Sequence, residues 1–380
     1  MTDTPFSAPA ASGPPASAGD FEPLRRILED ARWAPSGDNV QPWHFRIMDT
    51  ERVEVDLHGD DSFYERLWNA KGIYLAAGGL LETLCIVASQ LGYRMQWKLK
   101  PDAGDKTLQL RFTTDPSVQA DSLHQVVSTR SVRRHAYRFK PLTLQQRARL
   151  QQSVGNGFEL VCKESAASRW HAARLNMKAA DIRLRLRETF DVSQKILDWE
   201  RDFSPDRIPV KAIAVDAMTR QLMKFLLKKW SRIDFMNRYA GGTVLPAMQM
   251  DLVPGVSCAA HFLICFPAHV PDTGSPQALM HAGQAMQRLW LQATAEGLAL
   301  QPSMAPMLMA GYHLQPHAVP RLAQASRRMV DWIRDYAQVE PHRIAFMGRI
   351  GTPRTPHVNA RSVRKPLSDL LHESRAPKST

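Results

Sequence analysis

The spacing of apolar residues predicts the first elements of the chain. Four apolar residues recur at helical spacing between positions 24 and 31, which predicts a helix over 21–33 that ends at Pro35. The segments 45–48 and 53–57 read as two strands, and Asp49-Thr50 between them predicts a hairpin turn. The chain therefore begins with a helix, a loop and a hairpin.

A long apolar helix is predicted over 73–90, ending at Gly92 and followed by strands at 93–99 and 108–112. The same helix-glycine-strand pattern returns 205 residues later. Six pairs of identical residues share that offset: Ala77 and Ala282, Gly78 and Gly283, Leu84 and Leu289, Ala88 and Ala293, Gly92 and Gly297, Gln96 and Gln301. Six identities at one offset indicate a duplicated unit, and two such units suggest a fused pseudo-dimer.

Further elements are expected between and after the repeats. A helix is predicted from 116 to about 129, and buried strands are predicted at 256–266 and 344–351. The stretch 165–245 is dense in Arg and Lys and has no counterpart in the first half, so it is interpreted as an insertion. Helical periods cover 170–186 and 215–233 within it.

The segment 217–230 mixes apolar residues with Lys224, Lys228 and Lys229. An ordinary packed helix with a basic face explains this mixture, and so does a lid, a pocket wall or a patch that touches a membrane surface. We favour ordinary packing on energetic grounds and a lid on grounds of position.

Composition points to a globular chain with an anionic ligand. Apolar residues make up 44% and charged residues 23% of the 380 positions, with a net charge of +12. A solvated basic surface would account for this charge, and so would a nucleic acid, a membrane or a phosphorylated cofactor. Because the sequence shows no zinc-finger spacing, homeodomain-like helix or aromatic RNA-binding signature, a phosphate-bearing small molecule is favoured over a nucleic-acid partner.

The four cysteines lie in apolar stretches and are expected to be reduced core residues. Cys258, His261 and Cys265 would share a face on a helix, but a strand turns position 261 away from 258, so no metal site is predicted. The first twenty residues lack the pattern of a secretion signal and read as a disordered tail. Because Glu82 interrupts the apolar run 74–88, no transmembrane segment is predicted, and the expected location is the cytoplasm.

Two polar segments are candidates for ligand binding. The loop 35–43 cannot form regular structure because it contains two prolines and a glycine, and it carries Ser36, Asp38, Asn39 and Gln41. Such a density of hydrogen-bonding groups suits a flat ligand with polar edges, although the same side chains can simply cap a turn.

The second segment contains Arg130, Ser131, Arg133 and Arg134, whose guanidinium and hydroxyl groups suit a phosphate monoester or form a solvated basic turn. Near the end of the chain, Arg364 precedes Lys365-Pro366 in a segment that is expected to be extended. This arginine could reach a phosphate, or it could be a charge on a tail.

The loop 34–45 resembles the A-P-S-x-x-N-x-Q-P-W-x-F loop of the nitroreductase family, which binds flavin mononucleotide (FMN). The resemblance implies that the flavin contacts residues of this loop: Pro35, Ser36, Gly37, Asn39 and Gln41. Arg364 before Pro-Leu is similar to the family's C-terminal phosphate-binding arginine, and Gly351-x-Pro353 to the turn before it. The family often has a lysine where Ser362 stands, and this departure weakens that contact.

The halves are complementary, because the A-P-S loop lies in the first and the arginines lie in the second, together with Gln301, Pro302 and Ser303. This arrangement resembles the Acg-like tandem nitroreductase-fold proteins. It implies an α+β fold with two tandem halves, 21–125 and 126–371, whose antiparallel sheets are packed by long helices. The residues 372–380 are expected to form a second disordered tail.

The family's activity implies transfer of hydride from NAD(P)H through FMN to a nitroaromatic or quinone acceptor, with ping-pong kinetics. No catalytic side chain is assigned, and a structural or surface role is favoured for His44. Two alternatives stay open. One is an FMN storage or sequestration protein whose flavin is covered by a lid, and the other is a biosynthetic flavin enzyme. The fused chain is expected to be a monomer or to pair again.

Overall fold

The computed structural model describes residues 21–59, 62–100, 106–355 and 358–372. The two predicted tails, 1–20 and 372–380, lie outside the described residues except for His372. The strands, in chain order, are β1 (Trp43–Ile47), β2 (Arg52–Leu57), β3 (Tyr93–Leu99), β4 (Thr107–Thr114), β5 (Glu159–Lys163), β6 (Leu197–Asp198), β7 (Phe203–Ser204), β8 (Ile208–Pro209), β9 (Ala260–Cys265), β10 (Ala299–Pro302), β11 (Ile344–Gly351) and β12 (Arg361–Ser362).

Helices fill the spaces between these strands. In chain order they are α1 (Glu22–Ala31), α2 (Phe63–Leu67), α3 (Lys71–Ser89), α4 (Leu144–Ser153), α5 (Ala166–Leu184), α6 (Arg187–Ile196), α7 (Ala217–Leu226), α8 (Trp230–Tyr239), α9 (Val244–Ala247), α10 (Val253–Ser257), α11 (Pro276–Ala295), α12 (Ala305–Ala310), α13 (Pro320–Ala337) and α14 (Leu367–Leu370). The fold is thus a mixture of helices and sheets.

Two four-stranded antiparallel sheets organise the chain. One has the order β1-β2-β4-β3 and the other the order β5-β9-β11-β10. The strands of the two sheets are connected in the same way. A short helix precedes the first strand of each sheet, α1 in the first and α4 in the second. A long helix then connects the second strand along the chain to the third, α3 in the first sheet and α11 in the second. The second sheet differs by the additional helices between β5 and β9 and between β10 and β11.

The long helices α3 and α11 cross at Gly78 and Gly283. A Cβ atom built on Gly78 would overlap the carbonyl oxygen of Met280 and lie 2.8 Å from the Cα of Gly283. A Cβ atom built on Gly283 would in turn overlap the carbonyl oxygen of Leu75. Only glycine permits this approach of two backbones, which explains why the repeat has glycine at both positions.

Two side-chain contacts flank the crossing. Glu82 forms an ion pair with Arg288, with 2.5 Å between Oε1 and Nε, and Gln287 donates from its amide to the hydroxyl of Thr83 at 3.0 Å. At the offset of 205 residues, Glu82 corresponds to Gln287 and Thr83 to Arg288. Exchanging the two helices at this offset therefore places the Glu82–Arg288 pair at the position of the Gln287–Thr83 pair, and the reverse.

The helices of the repeat also end alike. Gly92 and Gly297 follow α3 and α11 with φ values of 73° and 69°, a left-handed conformation that glycine adopts without strain. Each is followed by an edge strand, in which Gln96 lies opposite Arg111 and Gln301 opposite Arg349.

The C-terminal segment returns to the first sheet. Leu367 and Leu370 are buried in the core formed by α1, α3 and β1–β4, and Leu371 pairs with Phe45 of β1. The N–H of His372 donates to the carbonyl of Phe45 at 2.9 Å, so the first residue of the predicted 372–380 tail is attached to the sheet. This return brings the segment 361–366, which contains Arg364 and is called the C-terminal arm below, beside the loop that precedes β1.

Two helix predictions were wrong. The predicted helix over 116–129 is only a short 3-10 turn at Ser122–Val126, because Asp115 accepts the N–H of Ser117 and Asp121 starts a new cap at Leu123. The predicted helix over 215–233 is divided into α7 and α8. The carbonyl of Leu227 accepts from the amide of Gln194 at 2.8 Å instead of continuing the helix.

The predicted strand over 256–266 is shorter, because α10 extends to Ser257 and β9 begins at Ala260. All four cysteines are free, with Cys258 and Cys265 buried. In the ranges that the structure covers, no group of three His, Cys, Asp or Glu side chains is arranged to hold a metal ion. Helix α3 is long and apolar enough to cross a membrane by length and composition, and most of it is buried inside the structure.

Candidate functional site

The loop before β1 has an unusual backbone. Asp38, Asn39 and Gln41 have φ values of 47°, 65° and 52°, which non-glycine residues rarely adopt. The hydroxyl of Ser36 accepts the N–H of Gln41 at 2.9 Å and closes the loop on itself. Such strain requires support from the surroundings and is concentrated at functional sites.

Two buried amides supply that support. Asn39 donates from Nδ2 to the carbonyls of Pro205 and Val363, both at 3.1 Å. Gln41 donates to the carbonyl of Pro205 at 2.8 Å, and its Oε1 accepts the N–H of Lys365 at 2.9 Å. The loop is therefore held between the inserted segment 197–209 and the C-terminal arm.

These bonds determine which loop residues remain open to a ligand. The amides of Asn39 and Gln41 are occupied by the protein itself, and Pro35 packs over α3 beside Gly79. At Gly37, by contrast, a Cβ atom would meet no atom within 4 Å. The open part of the predicted flavin loop is thus its turn at Gly37.

Three arginines converge behind the loop, and we call Arg130, Arg361 and Arg364 the arginine cluster. Arg364 donates from Nε to the carbonyl of Ala34 at 2.8 Å and from Nη1 to Oδ1 of Asn39 at 2.9 Å. Arg361 donates to the carbonyl of Ser128 at 3.0 Å.

Arg130 is buried and donates from Nη2 to the carbonyl of Trp33 at 3.0 Å. Its guanidinium lies 4.5 Å from the ring centre of Trp290. The guanidinium of Arg361 lies 5.2 Å from the ring centre of Trp33. The cluster is therefore built of cations, aromatic faces and backbone carbonyls.

The electrostatics of the arginine cluster favour an anion. Burial lowers the pKa of Arg130 far below its usual range, and the nearby charges of Arg364 and Arg361 lower it further. Burial, together with Arg361 and Arg32, lowers the pKa of Arg364 to about 9. Among the described residues, the buried Nε of Arg130 has no hydrogen-bond partner. A phosphate group would neutralise these charges and accept such a donor, so the cluster fits the phosphate of FMN.

A second basic feature, the basic pocket, lies next to the arm. Its volume is about 250 Å³, and its lining comprises Val132, Arg133, Arg134, His135, Lys211, Ala212, Arg220, Thr355, Val358, Asn359 and Ala360. The volume is below the roughly 300–1,000 Å³ typical of small-molecule sites, so the pocket suits one anionic part of a ligand. Ser131 does not line it, and its hydroxyl donates to the neighbouring carbonyl of Val132 at 3.4 Å.

A third polar group surrounds Arg349, which is fully buried within β11. Its guanidinium donates to Oε1 of Gln301 and to the carbonyl of Met250 at 2.6 Å. Burial raises the pKa of the nearby Asp251, while Arg349 and Arg183 oppose that rise. Sequence reasoning missed Arg349 and Asp251, although an arginine inside the apolar run of β11 was a visible signal.

The predicted site residues thus fall into three groups. Arg130 and Arg364 meet behind the loop, whereas Arg133 and Arg134 line the basic pocket. Gln301 of β10 contacts Arg349 of the neighbouring β11, Pro302 lies opposite Gly348, and the N–H of Ser303 donates to the carbonyl of Met347. Arg361 is a further member of the first group that the sequence reasoning did not assign.

Comparisons with known proteins give distant similarities. No protein-family model matches the chain. It is 24% identical over 331 residues to "Uncharacterized protein MT1398" of Mycobacterium tuberculosis (strain CDC 1551 / Oshkosh), which is 84% of this chain and 44% of that protein. The chain therefore spans less than half the length of this curated relative.

Two solved structures are also similar. One is the FMN-dependent nitroreductase NfnB from Mycobacterium smegmatis in complex with NADPH, with a TM-score of 0.36 and 14% identity over 66% of this chain and 97% of that one. The other is the FMN and NADPH-dependent nitroreductase NfnB from sphigopyxis sp. strain HMH, with a TM-score of 0.36 and 16% identity over 67% of this chain and 99% of that one. At these values, a functional proposal must be based on the chain's own residues.

Proposed function

We propose that the protein is an FMN-dependent oxidoreductase that passes hydride from NAD(P)H to an electron-poor acceptor of the nitroaromatic or quinone type. The observation that carries this proposal is the arginine cluster behind a strained loop whose sequence resembles the nitroreductase flavin loop. Buried cations without carboxylate partners are costly, and a bound phosphate would offset that cost.

In this proposal each group of residues has a separate task. The arginine cluster would hold the phosphate of FMN, and the open turn at Gly37 would lie against the flavin ring. The basic pocket would hold an anionic part of the nucleotide donor through Arg133, Lys211 and Arg220. The bound flavin would supply the redox chemistry by accepting and then releasing hydride.

The chain's own residues would bind and orient the reactants. Asn39 and Gln41 would fix the loop and thereby its distance from the arginine cluster, since both amides are tied to other segments. Burial of Arg130 and Arg364 would strengthen their attraction for the phosphate by excluding water. No side chain is assigned as a proton donor.

We also propose that the chain consists of two tandem nitroreductase-like halves, 21–125 and 126–371, that form one composite site in a monomer in the cytoplasm. The equal strand order of the two sheets and the meeting of Gly78 with Gly283 support a duplication. The loop belongs to the first half and the arginine cluster to the second, as in the proposed Acg-like arrangement.

A second candidate, FMN storage, is favoured by one observation. The segment 197–209 lies over the loop and is itself held rigidly, because the buried Asp198 accepts from the hydroxyl of Ser204 at 2.8 Å and from Arg201 at 2.8 Å. A rigid cover of this kind would keep an acceptor away from the flavin and favour sequestration over turnover.

The visible spectrum tests both candidates. The protein should take up one FMN per chain, and riboflavin should bind far more weakly because it lacks the phosphate. Rapid bleaching by NADPH or NADH under anaerobic conditions would support the reductase, and a flavin that neither donor bleaches would support storage. A protein that takes up no FMN, or that binds riboflavin equally well, would contradict the phosphate assignment.

A further inference from the structure

Helix α7 of the insertion has two apolar faces. Its inner face contains Met223, and Leu227 follows at its end; both pack on the small core that includes Ile213. Asp216 caps the helix by accepting the N–H of Thr219 at 2.9 Å, and Thr219 is buried on the same inner side. The inner face therefore already has a partner within the chain.

The outer face of α7 is apolar as well. Met218, Leu222 and Phe225 are spaced four and three residues apart and so lie on one face of the helix. They are 78%, 41% and 53% exposed. Large side chains that are exposed as a group indicate a surface that contacts something else.

The apolar face continues onto α8. The guanidinium of Arg232 lies 3.9 Å from the ring centre of Phe225, which joins the two helices. Phe235 and Tyr239 follow Arg232 by three and seven residues, share its helical face, and are 60% and 74% exposed. We call the five exposed apolar residues Met218, Leu222, Phe225, Phe235 and Tyr239 the outer face.

The charges around the outer face are mostly positive. Residues 216–248 contain six basic side chains and two acidic ones, Asp216 at the start of α7 and Asp234 on α8. Asp234 is paired with Arg238 at 2.9 Å, and Lys224, Lys228 and Lys229 are exposed beside Phe225. A second copy of this surface would repel it, whereas an anionic surface would attract it.

We propose that the outer face docks on an anionic phospholipid membrane surface. The apolar side chains enter the boundary between headgroups and acyl chains, and the surrounding lysines contact the negative headgroups, as in interfacial amphipathic helices. Arg220 on the same helix lines the basic pocket, so docking holds that pocket close to the membrane. The proposal does not depend on the flavin assignment.

Co-sedimentation of the full chain with vesicles tests the proposal. The protein should bind vesicles that contain phosphatidylglycerol and should leave pure phosphatidylcholine vesicles in the supernatant. The triple variant Lys224→Gln/Lys228→Gln/Lys229→Gln should bind the anionic vesicles about 100-fold more weakly, at about fivefold for each charge. Equal binding to both vesicle types would overturn the proposal.

Apolar variants provide the second test. Leu222→Ser/Phe225→Ser should lose most of the vesicle binding, while Phe139→Ser, at an exposed phenylalanine outside the insertion, should bind like the wild type. All substituted side chains are exposed, so thermal unfolding should change little and serves as the folding control.

Light scattering tests whether the outer face binds a second copy of the chain instead of a membrane. A dimer that Leu222→Ser/Phe225→Ser converts to a monomer would show that it does and would overturn the proposal.

Discussion

Gly78 and Gly283 bring the backbones of α3 and α11 into direct contact, and a carbonyl oxygen of the opposite helix, that of Met280 or of Leu75, occupies the space that a Cβ atom would need. Both are surrounded by buried side chains of their own helices, such as Ala77 and Ala282, which are fully buried. The close approach of α3 and α11 therefore requires that neither position has a Cβ atom.

Gly78→Ala and Gly283→Ala should each lower the free energy of unfolding by about 2 kcal/mol or more, because the overlap exceeds the gain in helix propensity. Urea unfolding followed by circular dichroism measures the loss. Gly157→Ala is the matched control, since a Cβ atom there would meet nothing within 4 Å, and it should be nearly neutral. A neutral Gly78→Ala would show that the helices can move apart without cost.

Arg364→Ala should weaken FMN binding by about 1–3 kcal/mol through loss of charge-assisted hydrogen bonds. The affinity for riboflavin should fall by less, because Arg364 also holds the loop through Ala34 and Asn39, whereas its contact to the phosphate affects FMN alone. Arg94→Ala removes an exposed arginine that pairs with Asp115 and should leave both affinities unchanged. Fluorescence quenching of the flavin measures them, and equal losses for FMN and riboflavin would place the phosphate elsewhere.

Asn39 combines a strained backbone with buried hydrogen bonds, and two substitutions separate these effects. Asn39→Gly relieves the strain of the φ of 65° but removes the side chain. The carbonyls that it contacts and Arg364 then lose a hydrogen-bond partner, which should lower the free energy of unfolding by about 2 kcal/mol. Asn39→Ala should cost about 1 kcal/mol more, since alanine pays for the left-handed conformation. Equal stability of both variants in urea unfolding would show that the backbone at 39 relaxes.

The protein should lose stability on mild acidification because of His44. Its ring stacks 4.1 Å from that of His58. Burial, together with the charges of His58, His372 and Lys365, lowers the pKa of His44 to about 4, while Asp56 opposes this shift. The unfolded chain takes up this proton below its usual pKa of 6.5, whereas the folded protein does so only near 4. Stability is therefore unaffected above 6.5 and falls as the pH decreases toward 4.

Urea unfolding at about pH 7.5 and about pH 5 checks this direction. His44→Gln should reduce the difference between the two values, and His317→Gln, at an exposed histidine, should leave it unchanged. A wild-type protein with the same stability at both values would contradict the histidine assignment.

Much of the secondary structure followed from local patterns. The helix predicted over 73–90 is α3, and the strands predicted at 93–99 and 344–351 are β3 and β11, because burial imposes a clear spacing on them. The break after Leu227 could not be foreseen, since no proline or glycine marks it. It depends on a hydrogen bond from Gln194, which is distant in sequence.

The candidate site was predictable as a set of residue types but not as an arrangement. The loop and the two arginines Arg130 and Arg364 stood out by sequence, and the structure places them together. The occupation of the Asn39 and Gln41 amides by Pro205 could not be foreseen, because it depends on the fold of the insertion. The burial of Arg349 could not be foreseen for the same reason, because the pattern of residues along a strand does not show which segments cover the ends of that strand.

The two contacts beside the helix crossing have a consequence for the assembly of the chain. If α3 and α11 were identical, the contacts on either side of the crossing would have to be identical as well. Here one side has the charged pair Glu82–Arg288, and the other has the neutral, fully buried pair Thr83–Gln287. In a pair of two α3 helices Glu82 would face Thr83 instead of an arginine, so the charged pair favours α11 over a second copy of α3 as the partner of α3.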